Sequence, residues 1–261
     1  MAKLSVLILA KNEEKFIGAC IRSVLEFSDE IIVIDDFSTD DTAKISKNLG
    51  ARVIQRGLNG DWGGQQTFAI QQAKFDWVFF IDADERATPQ LSAEIKRILA
   101  ADDKNFAYRT ARLSYFWGQP LKHGGWFPDY VTRLFPTKNS YVTGFVHPKI
   151  HHSCQEKDFP SDFYLIHYPY RDWNHYFSKL NFYTTLAAKK MHEQGKTAGI
   201  LDIILHPIWA SFRMYVLRGG FLDGKIGFIL AGFHYFYTMA KYVKLYYFGK
   251  ENVHITEEND V

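Results

Sequence analysis

Residues 76–86, DWVFFIDADER, run from five apolar side chains, Trp77 to Ile81, straight into three acids, Asp82, Asp84 and Glu85. An unbroken apolar run of that length, rich in aromatic and β-branched residues, reads as a strand buried on both faces. The acids then fall at its carboxyl end, the edge where open α/β sheets bind ligands. Two unit charges about 4 Å apart interact by roughly 4 kcal/mol at an effective dielectric of about 20. Clustered acids therefore repel unless a cation joins them. Asp82 and Asp84, one small residue apart, have the spacing to reach a hard divalent metal and a ribose from one side. Mg2+ suits such a pair, because it takes one or two carboxylates together with phosphate oxygens. The bland counterpart is a solvated acidic turn ahead of a helix.

The chain on either side alternates between strand and helix patterns. Leu4 to Leu9 reads as a buried strand, followed by the polar loop AKNEE and a helix with Ile17, Cys20, Ile21, Val24 and Leu25 at helical spacing. Glu30 to Ile34 is the next strand and ends in Asp35 and Asp36. The segment FSTDDT supplies a turn, with Thr39 or Asp40 as cap for the helix carrying Ala43, Ile45 and Leu49. Arg52 to Gln55 is a short strand, and a glycine-bearing loop, Gly57 to Gly64, leads into a helix through Phe68, Ile70 and Ala73. Thr88 and Pro89 open another helix after the acids. Short connections between alternating elements predict an α/β fold with a mostly parallel sheet and right-handed crossovers.

The pattern changes between residues 106 and 150, where FAYRTARLSYF, YVTRLF and YVTGFV are strand-like pieces around a loop rich in Gly, Trp and Pro. From about His175 to Gly249 the chain reads as helical and aromatic, and Glu251 to Val261 as a polar, acidic tail. The organisation expected is one domain over 1–174, whose first half runs to about 105 and whose second half starts at about 106. A helical extension follows over 175–250, with a tail over 251–261.

A length of 261 residues accommodates one large α/β domain with an appendage. A net charge of +2 without a Lys/Arg block speaks against nucleic acid as a partner. Two cysteines, Cys20 and Cys154, exclude a disulfide scaffold or a zinc module and fit a reducing compartment. The first apolar run, LSVLIL, is too short for a signal segment or a membrane span, so the cytoplasm is the expected location. No Gly-X-Gly-X-X-Gly follows the first strand, and no Gly-Lys-Ser/Thr loop occurs. A dinucleotide oxidoreductase or a P-loop enzyme is therefore disfavoured.

Polar strand ends remain: Lys11, Asn12 and Glu13 after the first strand, Asp35 and Asp36 after the second, Asp82 and Asp84 after a later one. Adjacent parallel strands bring such ends together. One carboxylate there can accept a uracil N3–H, another can bind ribose hydroxyls, and a metal neutralises a diphosphate. SVLILAKNEE, IIVIDDFSTDDT and WVFFIDADE, in that order, resemble the family-2 glycosyltransferases of the GT-A fold. The later GGWFPDYVTRLF and FLDG resemble the bacterial lipopolysaccharide and lipooligosaccharide core branch, which includes β-1,4-glucosyltransferases acting on inner-core heptose.

That resemblance implies inverting transfer from a UDP-sugar with Mg2+ or Mn2+. Ala10, Lys11, Asn12 and Glu13 match the nucleotide-facing first loop, and Asp36 or its neighbour Asp35 the uracil contact. Asp82 and Asp84 match the ribose and metal positions, and His167 in LIHYPY a late metal ligand. Where the family carries a basic residue followed by Asn, this chain has Gln66 and Thr67, so Arg56 or Lys11 is left to supply the charge. A base is needed to take the acceptor proton. Asp129 matches the family's Pro-Asp position, with Glu156 and Asp158 behind it and a salt bridge to Arg133 as its structural alternative. Trp126 is placed to stack on an acceptor sugar.

Between residues 200 and 250 thirteen side chains are Phe, Trp or Tyr, against six Lys/Arg and two Asp. Asp202, His206 and Arg213 share one helical face, interrupted by Pro207; His234, Thr238 and Lys241 form a narrow stripe with Lys244 beside it. Charges inside both stretches argue against a span, and a broad aromatic face with Lys at its margin suits a bilayer interface. The expectation is a peripheral enzyme on the cytoplasmic face of the inner membrane with a lipid-linked oligosaccharide acceptor. Packing against a second copy through the C-terminal helices is the alternative for this face. The rival functions are a sugar-nucleotide nucleotidyltransferase, which would want a glycine-rich basic loop after strand one, and a non-catalytic membrane-surface protein.

Overall fold

The computed structural model describes residues 2–144 and 148–250. The chain forms two compact units, one from Met1–Tyr115 with Phe127–Pro169, the other from Phe116–Trp126 with Tyr170 onward. In chain order the first unit begins β1 (Leu4–Ala10), α1 (Ile17–Val24), β2 (Glu30–Asp35), α2 (Thr42–Asn48), β3 (Arg52–Gln55), α3 (Trp62–Gln72) and β4 (Trp77–Phe80). It continues with β5 (Glu85–Ala87), α4 (Pro89–Ala101) and β6 (Phe106–Phe116). The two-residue strand β7 (Gln119–Pro120) belongs to the second unit, and the first resumes with β8 (Asp129–Pro136), β9 (Tyr141–Thr143), β10 (Lys149–His151), β11 (Gln155–Asp158) and β12 (Tyr164–His167).

The main sheet has the order β3-β2-β1-β4-β8-β6-β12-β5, with β11 added beside β6. Strands β3, β2, β1 and β4 run parallel. Beyond them β8 is antiparallel to both β4 and β6, so the sheet is mixed rather than parallel throughout. The curled mixed sheet, flanked by helices and followed by a helical extension, has the GT-A form that the resemblance implies.

Two apolar layers explain why β1, β2 and β4 read as continuous hydrophobic runs. Leu4, Val6, Ile8, Val33, Trp77 and Phe79 pack on one side of the sheet with Ile17 and Ile21 of α1 and Leu91 and Ile95 of α4. Leu7, Ile32, Ile34, Val78 and Phe80 pack on the other with Ala69 and Ile70 of α3. Alternate residues of a strand face opposite ways, so covering both sides leaves no polar positions.

Local starts differ from the sequence reading in two places. Helix α3 begins inside the glycine loop: Asp61 caps it by accepting the Gly64 N–H at 2.8 Å. Its first turn lies so near the β9 strand that a Cβ on Gly63 would stand 2.9 Å from Gly144 O. Helix α2 starts at Thr42, one residue after Asp41, while Asp40 binds the Thr42 N–H and hydroxyl and the Glu14 N–H instead of acting as the cap itself. Of YVTGFV, Tyr141–Thr143 forms β9; Phe145 and Val146 lie outside the described residues, as does the tail 251–261. Thr88 and Pro89 do open α4, with Thr88 Oγ1 accepting the Leu91 N–H.

The second unit contains α5 (Trp173–Glu193), α6 (Ile200–Phe212), a π-helical turn (Arg213–Leu217), a 3-10 turn (Gly220–Asp223) and α7 (Gly224–Phe248). Its core gathers Phe116, Leu121, Tyr176, Met214, Ile226 and Leu230. Asp223 fastens residues 122 and 123 to this unit, accepting both backbone N–H groups and lying 2.7 Å from His123 Nδ1. The stretch Ile200–Leu217 has mean hydropathy 1.4 over 18 residues, long and apolar enough by length and composition to cross a membrane, with only 11% of it buried. Apolar side chains stand in solvent here, Leu201 at 70% and Phe228 at 67% exposure.

A close backbone crossing sets one stability test. A Cβ on Gly227 would meet Gly220 O at 1.8 Å, whereas one on Gly232 of the same helix meets nothing within 4 Å. Gly227→Ala is expected to destabilise the protein by about 1–3 kcal/mol through overpacking. Gly232→Ala is expected to stabilise it by roughly 0.5–1 kcal/mol through helix propensity. Urea titration of both variants checks the opposite signs.

Candidate active site

Parallel pairing aligns the ends of β3, β2 and β1: Ala10 is opposite Asp35, and Asp35 opposite Gln55. β4 lies on the other side of β1, with Ile81 N–H bonded to Leu7 O, so the acids that follow it belong to the same sheet edge. The first loop is tied to the second rather than left open. Asn12, at a left-handed φ of 53°, donates its N–H to Ser38 Oγ at 2.9 Å and accepts the Thr39 N–H at 2.8 Å. Asn tolerates that conformation better than most side chains. Glu13 donates its N–H to Thr42 Oγ1 at 2.7 Å, and its carbonyl starts the turn into α1. Ala10 is buried, and its carbonyl accepts the Asp36 N–H.

The two acids after β2 differ in environment. Asp35 is fully buried; its Oδ2 accepts the Ser38 N–H, and its Oδ1 has no hydrogen-bond partner among the described residues. The Asp36 side chain keeps 14% exposure and sits 2.8 Å from Lys11 Nζ, with the Leu58 N–H at 3.0 Å on the other oxygen. Burial alone would raise the Asp36 carboxyl, but Lys11 and the Leu58 N–H outweigh it and hold it below its ordinary value. Lys11 is thus the cation beside this acid. Arg56 is held by Gln65 and lies over the Phe68 ring at 4.7 Å. Gln66 is half-buried and makes no side-chain hydrogen bond with another described residue; its neighbour Gln65 is the locked one, donating to Arg56 O at 2.8 Å.

At the end of β4 an arginine takes the place of solvent. Arg133 of β8 puts Nη2 2.6 Å from Asp82 Oδ2 and 2.6 Å from Glu85 Oε1. Glu85 is fully buried and also accepts the Asp82 N–H at 3.0 Å, closing the turn. Asp82 keeps 43% of its side chain exposed. Burial opposes its charge, but Arg133, Arg112 and His167 hold it below the usual carboxylate range. For Glu85 burial dominates: with the Asp82 charge beside it, its carboxyl is pushed up despite Arg133 and Arg112. Cys20 lies beneath, its Sγ 3.4 Å from Asp82 O, and burial pushes that thiol up as well.

The same edge receives His167 by register. In β12 it is opposite Ser114 of β6 and Glu85 of β5. Its Nδ1 lies 3.1 Å from Ser114 Oγ and its Nε2 3.8 Å from Asp84 Oδ2, while the Tyr168 N–H binds Asp84 O at 2.9 Å. Asp129 is opposite Arg112 in the β6–β8 ladder and forms its ion pair there, not with Arg133. Arg112 in turn reaches to 3.7 Å from Glu85. Asp82, Arg133, Glu85, Arg112 and Asp129 therefore form one alternating chain of charges. Glu156 and Asp158 have other partners, Thr132 at 2.8 Å and Arg109 at 2.6 Å. Trp126 belongs to the second unit, packed against the core that contains Met214.

Sequence reasoning missed Arg112, and it named Arg133 only as a partner for Asp129, not for Asp82 and Glu85. Each arginine interrupts a strand pattern with a charge (RTARLSYF and YVTRLF), and a charge at a buried strand position needs a partner.

Residues 5–155 match the Glycosyl transferase family 2 domain, and the chain belongs to that family. An uncharacterized glycosyltransferase of Rickettsia prowazekii (strain Madrid E) is 33% identical over 254 residues, covering 92% of this chain and 87% of the relative. The lipopolysaccharide core biosynthesis glycosyltransferase LpsC of Rhizobium meliloti (strain 1021) is 30% identical over 253 residues, covering 93% and 92%. Among solved structures, glucosyl-3-phosphoglycerate synthase from Mycobacterium tuberculosis, in complex with Mn2+, UDP and glucosyl-3-phosphoglycerate, is 25% identical over 44% of each chain with a TM-score of 0.37.

Two expectations follow from these charges. Arg133→Met removes the guanidinium between Asp82 and Glu85, leaving only Arg112 at 3.7 Å from Glu85, and should cost about 3–5 kcal/mol, as breaking a buried pair does; urea denaturation measures it. For Asp36 the folded-state value is depressed, so the unfolded chain takes up the proton first as pH falls below about 3.8. Its contribution is present at neutral pH and lost on acidification. Asp36→Asn should make stability fall less steeply between about pH 5 and pH 3 than in the wild type.

Proposed function

We propose that the chain moves a hexose, glucose first among the candidates, from a UDP-sugar to an inner-core heptose of lipopolysaccharide or lipooligosaccharide, with inversion at the anomeric carbon. The observation that carries the reading is the meeting of Asp84 and His167, 3.8 Å apart, beside Asp82 and the Asp129–Arg112 pair. A carboxylate oxygen and an imidazole nitrogen together with diphosphate oxygens would suit Mn2+ better than Mg2+, because Mg2+ is held through oxygen ligands. Among the described residues no cluster of three or more His, Cys, Asp or Glu could hold a metal by itself. Asp84 and His167 would therefore hold the ion together with the donor. The chemistry supplied by such an ion is neutralisation of the departing diphosphate.

In this reading Asp36, with Lys11 pinning one oxygen, accepts the uracil N3–H. Buried Asp35 and the tied residues Ala10, Asn12 and Glu13 keep the loop in shape, and Gln66 lies on the nucleotide side of α3. Asp82, fixed through Oδ2 by Arg133 yet still exposed, takes a ribose hydroxyl. Asp129 removes the acceptor hydroxyl proton as that oxygen attacks opposite the leaving UDP, and Arg112 steadies it.

The helical unit supports a membrane-facing role on the cytoplasmic side of the inner membrane. Its exposed apolar faces suit the boundary between headgroups and acyl chains, and a lipid-linked acceptor would be met there. The nucleotidyltransferase alternative is less well supported. The loop after β1 contains no glycine and is fastened to residues 38–42, leaving no run of free backbone N–H groups for phosphates.

Incubation with a panel of UDP-sugars and Mn2+ or Mg2+ should release UDP. Asp84→Ala should lower turnover by orders of magnitude with the fold intact, and a chelator should do the same to the wild type. Full activity in chelator, or pyrophosphate as the product, would overturn the assignment. UDP and Mn2+ together should raise the melting temperature more than either alone, because each completes the site for the other.

A further inference from the structure

We propose that the second unit holds a binding cavity for an amphiphile with a phosphate headgroup, built from residues of that unit alone. The inference rests on the membrane-facing part of the reading above and uses neither the donor nor the metal. The cavity measures about 530 Å³, within the range of small-molecule sites.

Its wall sets cations among aromatic rings, Trp209, Phe233, Tyr237 and Tyr242 included. Arg213, Arg218 and Lys241 line it with His206 and His234, and no Asp or Glu does. Among the described residues none of the three cations forms an ion pair, and Asp202 lies 3.3 Å from His206 Nε2. Burial, then the charges of Lys241 and Arg218, keep the His234 imidazole below its ordinary value, and burial with Lys196 does the same for Lys241. Uncompensated positive groups gathered around a hollow are relieved by an anion, and arginine pairs bind phosphate through two parallel N–H bonds.

The sequence supplies room for this at Gly124 and Gly125, both at positive φ. A Cβ on Gly125 would stand 2.6 Å from Arg218 Nη1, so only glycine lets that guanidinium lie along the backbone. Gly124 N–H also binds Arg218 O at 2.9 Å. The paired glycines ahead of Trp126 thus shape the cavity wall.

The occupant's second half follows from the helices. His206 of α6, Arg213 of the π-helical turn that follows it, and His234, Thr238 and Lys241 of α7 line the hollow. Leu201, Leu205, Ile208, Phe212, Phe228 and Phe236 are left in solvent. A ligand with an anionic head and an apolar chain matches both surfaces at once.

Isothermal titration of the full chain, without UDP or metal, tests the idea with dihexanoyl phosphatidic acid, dihexanoyl phosphatidylcholine and inorganic phosphate. Phosphatidic acid should bind at least about tenfold more tightly than either of the others. The double substitution Arg213→Gln with Lys241→Gln should weaken it by a further factor of about ten or more while leaving stabilisation by UDP and Mn2+ unchanged. Equal affinity for the two lipids, phosphate binding as tightly as phosphatidic acid, or an unaffected double variant would each overturn the proposal. If the double variant melts early, Arg213→Gln alone, at an exposed position, gives the same reading. Loss of UDP stabilisation with lipid binding retained would count against the transferase reading and not against the cavity.

Discussion

Arg133 stands 2.6 Å from both Asp82 and Glu85, and the geometry at the end of β4 exists because of it. Three acids in four residues would otherwise splay into water. A buried guanidinium with two carboxylates forces Asp82 to present one oxygen inward and leaves the rest of its side chain outside. Burial works against the Arg133 charge, yet the two acids more than restore it, so the arginine stays protonated across the working range of pH. Glu85 extends the arrangement toward Arg112 and Asp129, which links the two strands that meet at β8 to the acidic turn. A residue proposed as a base and residues proposed to bind nucleotide are therefore mechanically joined.

Much of the first half was legible because its strands are covered on both sides. Continuous apolar runs ending in acids can be read without knowing any partner, as Leu4–Ala10, Glu30–Asp35 and Trp77–Phe80 show. The proximity of His167 to Asp84 was reachable only through family likeness. In physical terms it depends on β12 lying between β6 and β5, a register no local pattern encodes. Arg112 escaped notice and Arg133 was matched to the wrong acid for the same reason, since antiparallel pairing of β8 with two neighbours chooses their partners. The start of α3 was misplaced because glycines signal a loop, while Gly63 is there to let a helix approach a neighbouring backbone.

In the second unit α6 and α7 direct His206, His234, Thr238 and Lys241 toward a hollow that Trp209, Phe233, Tyr237 and Tyr242 also line, and they leave Leu201, Ile208, Phe228 and Phe236 exposed on the outside. Lys244 illustrates the inward side: its Nζ binds Asn181 O, Asn181 Oδ1, Thr184 Oγ1 and Thr185 Oγ1 of α5, so a residue that looked like an interfacial anchor is a strut between helices.

The cross-ties between residues 12–14 and 38–42 carry a consequence for local motion. Asn12 with Ser38 and Thr39, Glu13 with Thr42, and Glu14 with Asp40 and Asp41 are short-range bonds between segments some 27 positions apart in sequence. Neither segment can fray while the other stays ordered, because each supplies the acceptors that the other's amides use. Deuterium uptake at these amides should rise and fall as one cooperative unit, a small foldon on the rim of the sheet.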